Sequence, residues 1–155
     1  MLNFNSLISE VLTLVDSELK GRVSIDPELF EDLPQVQGNR VQLQQVVLNL
    51  IMNAVEAMDS VKDRARILKI TSHLHESNNV VIAIQDTGTG IDPKNMNRIF
   101  EAFFTTKSRG MGMGLSICRS IIEAHGDRLW ASPGVPYGSV FYIELPRAET
   151  QVVHR

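Results

Sequence analysis

Only one cysteine, Cys118, occurs among the 155 residues, so no internal disulfide can form, which fits a reducing, cytoplasmic setting. No apolar run approaches the ~20 residues of a membrane span. No basic stretch precedes an apolar one at the N-terminus, as a secretory signal would require. Aromatic residues make up 6% of the chain, and 15 basic against 18 acidic residues leave a net charge of -3. That balance excludes a general attraction to nucleic acid or to an anionic membrane. There is no internal repeat and no linker-like composition. The length suits one domain, which buries roughly 70% of the surface its unfolded chain exposes.

What is present centres on one stretch, Q-L-Q-Q-V-V-L-N-L-I-M-N-A-V-E-A-M, Gln42 to Met58. Leu43, Val46, Val47, Leu50, Ile51, Ala54, Val55 and Met58 recur at the three-and-four spacing of a helix that buries one stripe. Gln45, Asn49, Asn53 and Glu56 line up on a polar stripe. Asparagine amides compete for backbone groups and weaken a helix, so two in mid-helix point to a use beyond structure, although a single solvated Asn would be ordinary.

A packing helix is expected over Asn5–Lys20 with Gly21 as its C-cap, and a short strand over Arg22–Ile25. Asp26–Gly38, with two prolines, reads as a connecting loop, and Asn39 as the N-cap of the central helix. Alternation predicts strands over Ile67–His75 and Val80–Gln85 joined by the turn Ser77-Asn78-Asn79. A helix from about Gly112 to His125 and strands over Arg128–Ala131 and Gly138–Leu145 follow. Helices with one apolar stripe and strands with one apolar face predict an α+β architecture of two layers, helices on a mixed, mostly antiparallel sheet. The domain is expected over residues 1–147, with 148–155 a frayed tail.

Two loops carry candidate chemistry. After the strand ending at Gln85 comes D-T-G-T-G-I, where the Asp86 carboxylate suits a ligand donor such as an exocyclic amine, and Gly88 and Gly90 let a flat base approach. An ordinary Asp-Gly turn is the plain alternative. Ile99–Lys107, I-F-E-A-F-F-T-T-K, is followed by S-R-G-M-G-M-G-L, whose glycines 110, 112 and 114 run into a helix. Backbone amides and a helix N-terminus can hold phosphates there, with Lys107 and Arg109 beside them; a plain surface loop is again the alternative. The spacing is neither that of a P-loop nor that of a dinucleotide fold, and Gly88 and Gly90 stand where a calcium loop needs oxygen donors.

Together and in this order, N-L-I-M-N-A, D-T-G-T-G, F-E-A-F-F-T-T-K and G-M-G-M-G-L resemble the asparagine, glycine and phenylalanine boxes of the catalytic, ATP-binding domain of sensor histidine kinases. These belong with gyrase, the mismatch-repair ATPases and the Hsp90 chaperones. A-H-G-D-R-L-W and G-S-V-F-Y-I-E-L-P resemble the family's tail, so the likeness runs from about Asn3 to Pro146. It implies a two-layer α/β sandwich of the Bergerat type with about three helices on one face of the sheet. It also implies transfer of the ATP γ-phosphoryl group to a histidine on a separate dimerisation segment, with Mg2+ as cofactor.

Carried over by position, the resemblance makes Asn53 the magnesium ligand, with Asn49, Lys107 and Arg109 as its catalytic company. Asp86 would read the adenine amine. The nucleotide would also touch Glu56, Ala57, Gly88, Gly90, Ile91, Phe104, Thr105, Thr106, Gly110, Gly112, Met113, Gly114, Leu115 and Ser139. Residues from about Asp92 to Gly112 would form a lid, its near end anchored by Phe100, Phe103 and Phe104. Three positions depart from the family: Glu56 replaces a basic residue common in relatives, Asp127 a glycine and Ala102 a proline. None of His73, His75, His125 and His154 is expected to be the acceptor; His125 reads as a structural, partly charged group at a helix C-terminus. The chain is therefore expected to be a monomeric catalytic domain of a longer two-component sensor acting on a response regulator. Rival readings are a gyrase-like hydrolase, for which Asn49 stands where a glutamate base is needed, a serine kinase of the anti-sigma type, and a nucleotide-binding module without activity.

Overall fold

The computed structural model describes residues 1–96, 98–101 and 114–148. In chain order the elements are α1 (Phe4–Leu19), β1 (Ser24–Leu29), α2 (Arg40–Met58), β2 (Ile67–Leu74), β3 (Val80–Gln85), a 3-10 turn (Pro93–Asn95), α3 (Gly114–Ala124), β4 (Leu129–Pro133) and β5 (Ser139–Leu145). Asn3 and Asn39 cap α1 and α2, their side-chain oxygens accepting from the backbone N–H of Ser6 and Gln42. The expected apolar stripe of α2 is buried along its whole length, and the helix begins two residues before Gln42.

The five strands form one sheet in the order β1-β2-β3-β5-β4. β1 runs parallel to β2, and every other pair is antiparallel. Leu68, Ile70, Ile82, Ile84, Phe141 and Ile143 face the helices in a core shared with Leu7, Ile8, Leu43, Leu50, Ile51 and Ile122. α2 packs against α1 on one side and α3 on the other, so it is the middle helix of the layer. Arg22 pairs with Asp59 at the C-terminal ends of α1 and α2, and Glu10 with Arg40 nearer their start; the two helices therefore run parallel.

The boundary that differs most from expectation is that of the first strand. The strand expected over Arg22–Ile25 is β1, Ser24–Leu29, which takes in Asp26 to Leu29 of what reads as loop. Pro27 hides it in the sequence, yet a residue without an N–H is tolerated on the edge strand that β1 is. Beyond it Phe30 donates its N–H to Ser72 Oγ at 2.8 Å, and that hydroxyl donates to Asn5 Oδ1 at 2.8 Å. Ser72 thus occupies a buried position on the apolar face of β2 with both its polar needs met. The turn Ser77-Asn78-Asn79 forms as expected, with Asn78 at φ 66, while His75 lies one residue past the end of β2. Of the expected tail, Ala148 donates its N–H to Gln35 O at 2.7 Å; residues 149–155 lie outside the described residues.

Candidate functional site

The Asp86 carboxylate follows the last residue of β3, and pairing of β3 with β5 places it against Ser139, the first residue of β5. Asp86 Oδ1 accepts from Gly88 N–H at 2.8 Å and Ser139 N–H at 3.3 Å, and Oδ2 accepts from Ser139 Oγ at 2.9 Å. A carboxylate has about four acceptor positions, so one, on Oδ2, has no donor among the described residues. Asp86 is 1% exposed. Burial pushes its pKa up from the usual aspartate range, and the bonds from Gly88 and Ser139 oppose that shift.

The protein's own backbone closes in on this carboxylate. A Cβ on Gly138 would lie 2.1 Å from Asp86 O, and one on Gly88 would lie 2.4 Å from Ala57 O in the last turn of α2. Both positions therefore require glycine for packing reasons alone, before any base approaches. Thr89 donates its N–H to Ala57 O at 3.3 Å, and Thr87 donates its hydroxyl to Ala65 O at 2.6 Å. The D-T-G-T turn is in this way fastened to the end of α2 and to the connection that follows.

Asn49 and Asn53 lie one turn apart on α2, both half-buried. Asn49 Nδ2 donates to Cys118 Sγ of α3 at 3.7 Å, so this amide faces α3. Asn53 offers an amide oxygen, a hard donor that fits Mg2+. Among the described residues no three His, Cys, Asp or Glu side chains gather into a metal cage.

A family model described as histidine kinase-, DNA gyrase B- and HSP90-like ATPase matches residues 38–149. The chain belongs to that family. Within this ATPase family, it is 44% identical over 128 residues to the sensor protein FixL of Bradyrhizobium diazoefficiens, covering 83% of this chain and 24% of FixL. It is 38% identical over 147 residues to the signal transduction histidine-protein kinase AtoS of Escherichia coli, covering 93% of this chain and 23% of AtoS. The chain thus spans about a quarter of the length of these curated relatives. Among solved structures, the nucleotide-free catalytic domain of histidine kinase ThkA superposes with a TM-score of 0.82 at 36% identity, covering 94% of this chain and 93% of that one. ThkA in complex with the response regulator protein TrrA matches with a TM-score of 0.80 at 32% identity, over 95% of this chain and 41% of that one. The three helices and the mixed sheet expected from the sequence are the fold of these ATPase domains.

Within the ATPase frame, the structure brings Asp86, Gly88, Ala57 and Ser139 together at the end of α2. Gly90 takes φ +81 beside Gly138 O, and Ile91 packs on the core. Glu56 is exposed near the end of α2, and Gly114 and Leu115 open α3. Phe104, Thr105, Thr106, Lys107, Arg109, Gly110, Gly112 and Met113, with Phe103, lie outside the described residues. The expected lid starts from a fixed base: Asp92 caps the 3-10 turn through Lys94 N–H, and Phe100 packs edge-on to Phe141 with ring centroids 6.1 Å apart.

His125 is structural as expected, for a different reason. Its Nε2 accepts from Asn39 N–H at 3.0 Å and its Nδ1 lies 2.7 Å from Ile121 O. A backbone N–H can only donate and a carbonyl only accept, so the ring is neutral with its proton on Nδ1, in place of the charged group expected at the helix end. Sequence reasoning missed Arg64 and Tyr137 altogether. Arg64 stands in the polar run K-D-R-A-R, and the carbonyls of Thr87 and Gly88 that it binds leave no trace in a sequence.

Proposed function

We propose that this chain binds Mg-ATP against the polar face of α2 and the D-T-G-T-G turn, and transfers the γ-phosphoryl group to a histidine on a separate helical dimerisation segment in two-component signalling. The observation that carries the reading is the Asp86 carboxylate, buried, held by Gly88 and Ser139 and left with one acceptor position. The adenine amine would fill that position, and Ser139 and Gly88 would keep the carboxylate aimed at it. Asn53 would hold Mg2+, which when bound neutralises phosphate charge and orients the γ-phosphoryl group for in-line transfer. Lys107 and Arg109 would bring further positive charge to the transferred group. Asn49 cannot take a proton, so no base at this position activates water, and transfer is favoured over hydrolysis. The setting would be cytoplasmic, the downstream partner a response regulator, and the acceptor a histidine of another segment; His125, held between Asn39 and Ile121, is not offered for transfer.

The test mixes this chain with Mg-ATP labelled in the γ-phosphate and a dimerisation segment of its parent kinase as a separate polypeptide. The expected product is an acid-labile, base-stable phosphate on that segment alone, abolished by Asn53→Ala. Steady ATP hydrolysis in the absence of any acceptor would make the chain a hydrolase.

A further inference from the structure

The peptide unit between Thr87 and Gly88 is held at both ends. Its N–H donates to Asp86 Oδ1 at 2.8 Å, and its carbonyl, Thr87 O, accepts from Arg64 Nε at 2.8 Å. The next carbonyl, Gly88 O, accepts from Arg64 Nη2 at 2.7 Å. Two successive carbonyls converging on one point repel each other unless a cation sits there, and the guanidinium supplies it with donors in a fixed fork. Its central carbon lies 4.0 Å from the centroid of the Tyr137 ring on the β4–β5 turn, and its Nη1 pairs with Asp63 at 3.1 Å. With its side chain 20% exposed, Arg64 is enclosed by three segments: its own connection, the D-T-G-T turn and the β4–β5 turn.

We propose that Arg64 is a positioning residue for base recognition, fixing through the Thr87–Gly88 peptide the direction in which Asp86 presents its remaining acceptor position. The inference rests on the reading of Asp86 as the adenine-binding group. Hydrogen bonds in series polarise one another, so a cation on Thr87 O makes the Gly88 N–H a stronger donor to Asp86. Without that cation nothing holds the Thr87 and Gly88 carbonyls in this direction, and the Gly88 N–H becomes a weaker, less well aimed partner of Oδ1. Lysine cannot replace it, because one ammonium on a flexible stem does not reach two carbonyls in a fixed fork while lying flat on a ring. Tyr137 acts one step further out, by holding the guanidinium plane.

The experiment is a calorimetric titration of the full chain with Mg-ATP and with Mg-ITP, whose base carries a carbonyl where adenine has the amine. Wild type, Arg64→Ala, Arg64→Lys, Tyr137→Ala, Asp86→Ala and the double variant Arg64→Ala/Asp86→Ala are compared well below their melting temperatures. Arg64→Ala is expected to lose about ten-fold in ATP affinity and under about two-fold in ITP affinity. Arg64→Lys should not restore ATP affinity, Tyr137→Ala should lose less in the same direction, and the ATP loss should vanish in the Asp86→Ala background. Equal losses for both nucleotides, or losses that add to those of Asp86→Ala, would reduce Arg64 to a staple of the fold and overturn the proposal. Should Arg64→Ala fail to fold, an unchanged ATP-to-ITP ratio in Tyr137→Ala and Arg64→Lys overturns it equally. A wild type that does not distinguish ATP from ITP, with an inert Asp86→Ala, removes the adenine role of Asp86 and the proposal with it.

Discussion

Asn49 of α2 donates its side-chain amide to the Cys118 thiol of α3 at 3.7 Å, joining the two helices that flank the proposed phosphate site. Cys118 is fully buried, and desolvation pushes its thiol pKa up to about 11. The reactive thiolate is then scarce at neutral pH and the sulfur is out of reach. Iodoacetamide is expected to leave Cys118 unmodified in the native protein and to label it fully after denaturation, read by intact mass. Native labelling at the unfolded rate would show the α2–α3 seam to be open.

Asp86→Ala removes a charged acceptor from the proposed adenine site. ATP and ADP affinity should fall alike, by about 1.5 to 3 kcal/mol or ten- to a hundred-fold, in a calorimetric titration. An unaltered affinity would place the base elsewhere.

pH acts on the same group. Because burial raises its folded pKa, Asp86 binds a proton more tightly when folded than unfolded. Its contribution to stability therefore falls as pH rises from the ordinary aspartate range to the raised value, and stays low above it. Asp86→Asn keeps the Oδ1 acceptor and removes the buried charge, so it should melt higher than wild type at neutral pH. That advantage should fade on acidification. Nucleotide binding runs the other way: wild-type affinity should drop as pH falls towards the raised value, since a protonated carboxyl loses its acceptor for the adenine amine, and Asp86→Asn should bind poorly throughout.

Asn53→Ala tests the metal role. Magnesium should strengthen ATP binding by the wild type and make little difference to the variant, while affinity for metal-free ATP stays the same. A wild type indifferent to magnesium would remove Asn53 as a ligand.

His125→Ala removes the ring that bridges the Asn39 N–H and the Ile121 carbonyl, which should destabilise the fold by about 0.5 to 1.5 kcal/mol in a denaturant titration. The identity of the phosphorylated residue in the transfer assay should not change. An unchanged denaturation midpoint would mean that water replaces the ring at no cost.

The central helix was legible because burial and spacing agree over its whole length, and because Asn39 is both a strong cap and an observed one. The sheet was legible where alternation is clean, in β2, β3 and β5. β1 was legible only at its start, since Pro27 and its acidic neighbours Asp26 and Glu28 mask an edge strand whose partner is parallel and distant. At the site, Asp86 and its glycines announce themselves by type and spacing. The neutral state of His125 and the reach of Arg64 depend on backbone groups brought in from residues far along the chain, and no local pattern encodes those.

Asp86 and Ser139 stand 53 residues apart and meet only when β3 pairs with β5. The hairpins β2–β3 and β4–β5 close locally, whereas the β3–β5 register must wait for the whole stretch between them, α3 included, to settle. Under the proposed function, recognition of the base would be assembled late in folding. A nascent chain that has not yet emerged as far as Ser139 would then have no cradle for adenine, nucleotide would not stabilise an earlier intermediate, and its binding would report on completion of the sheet.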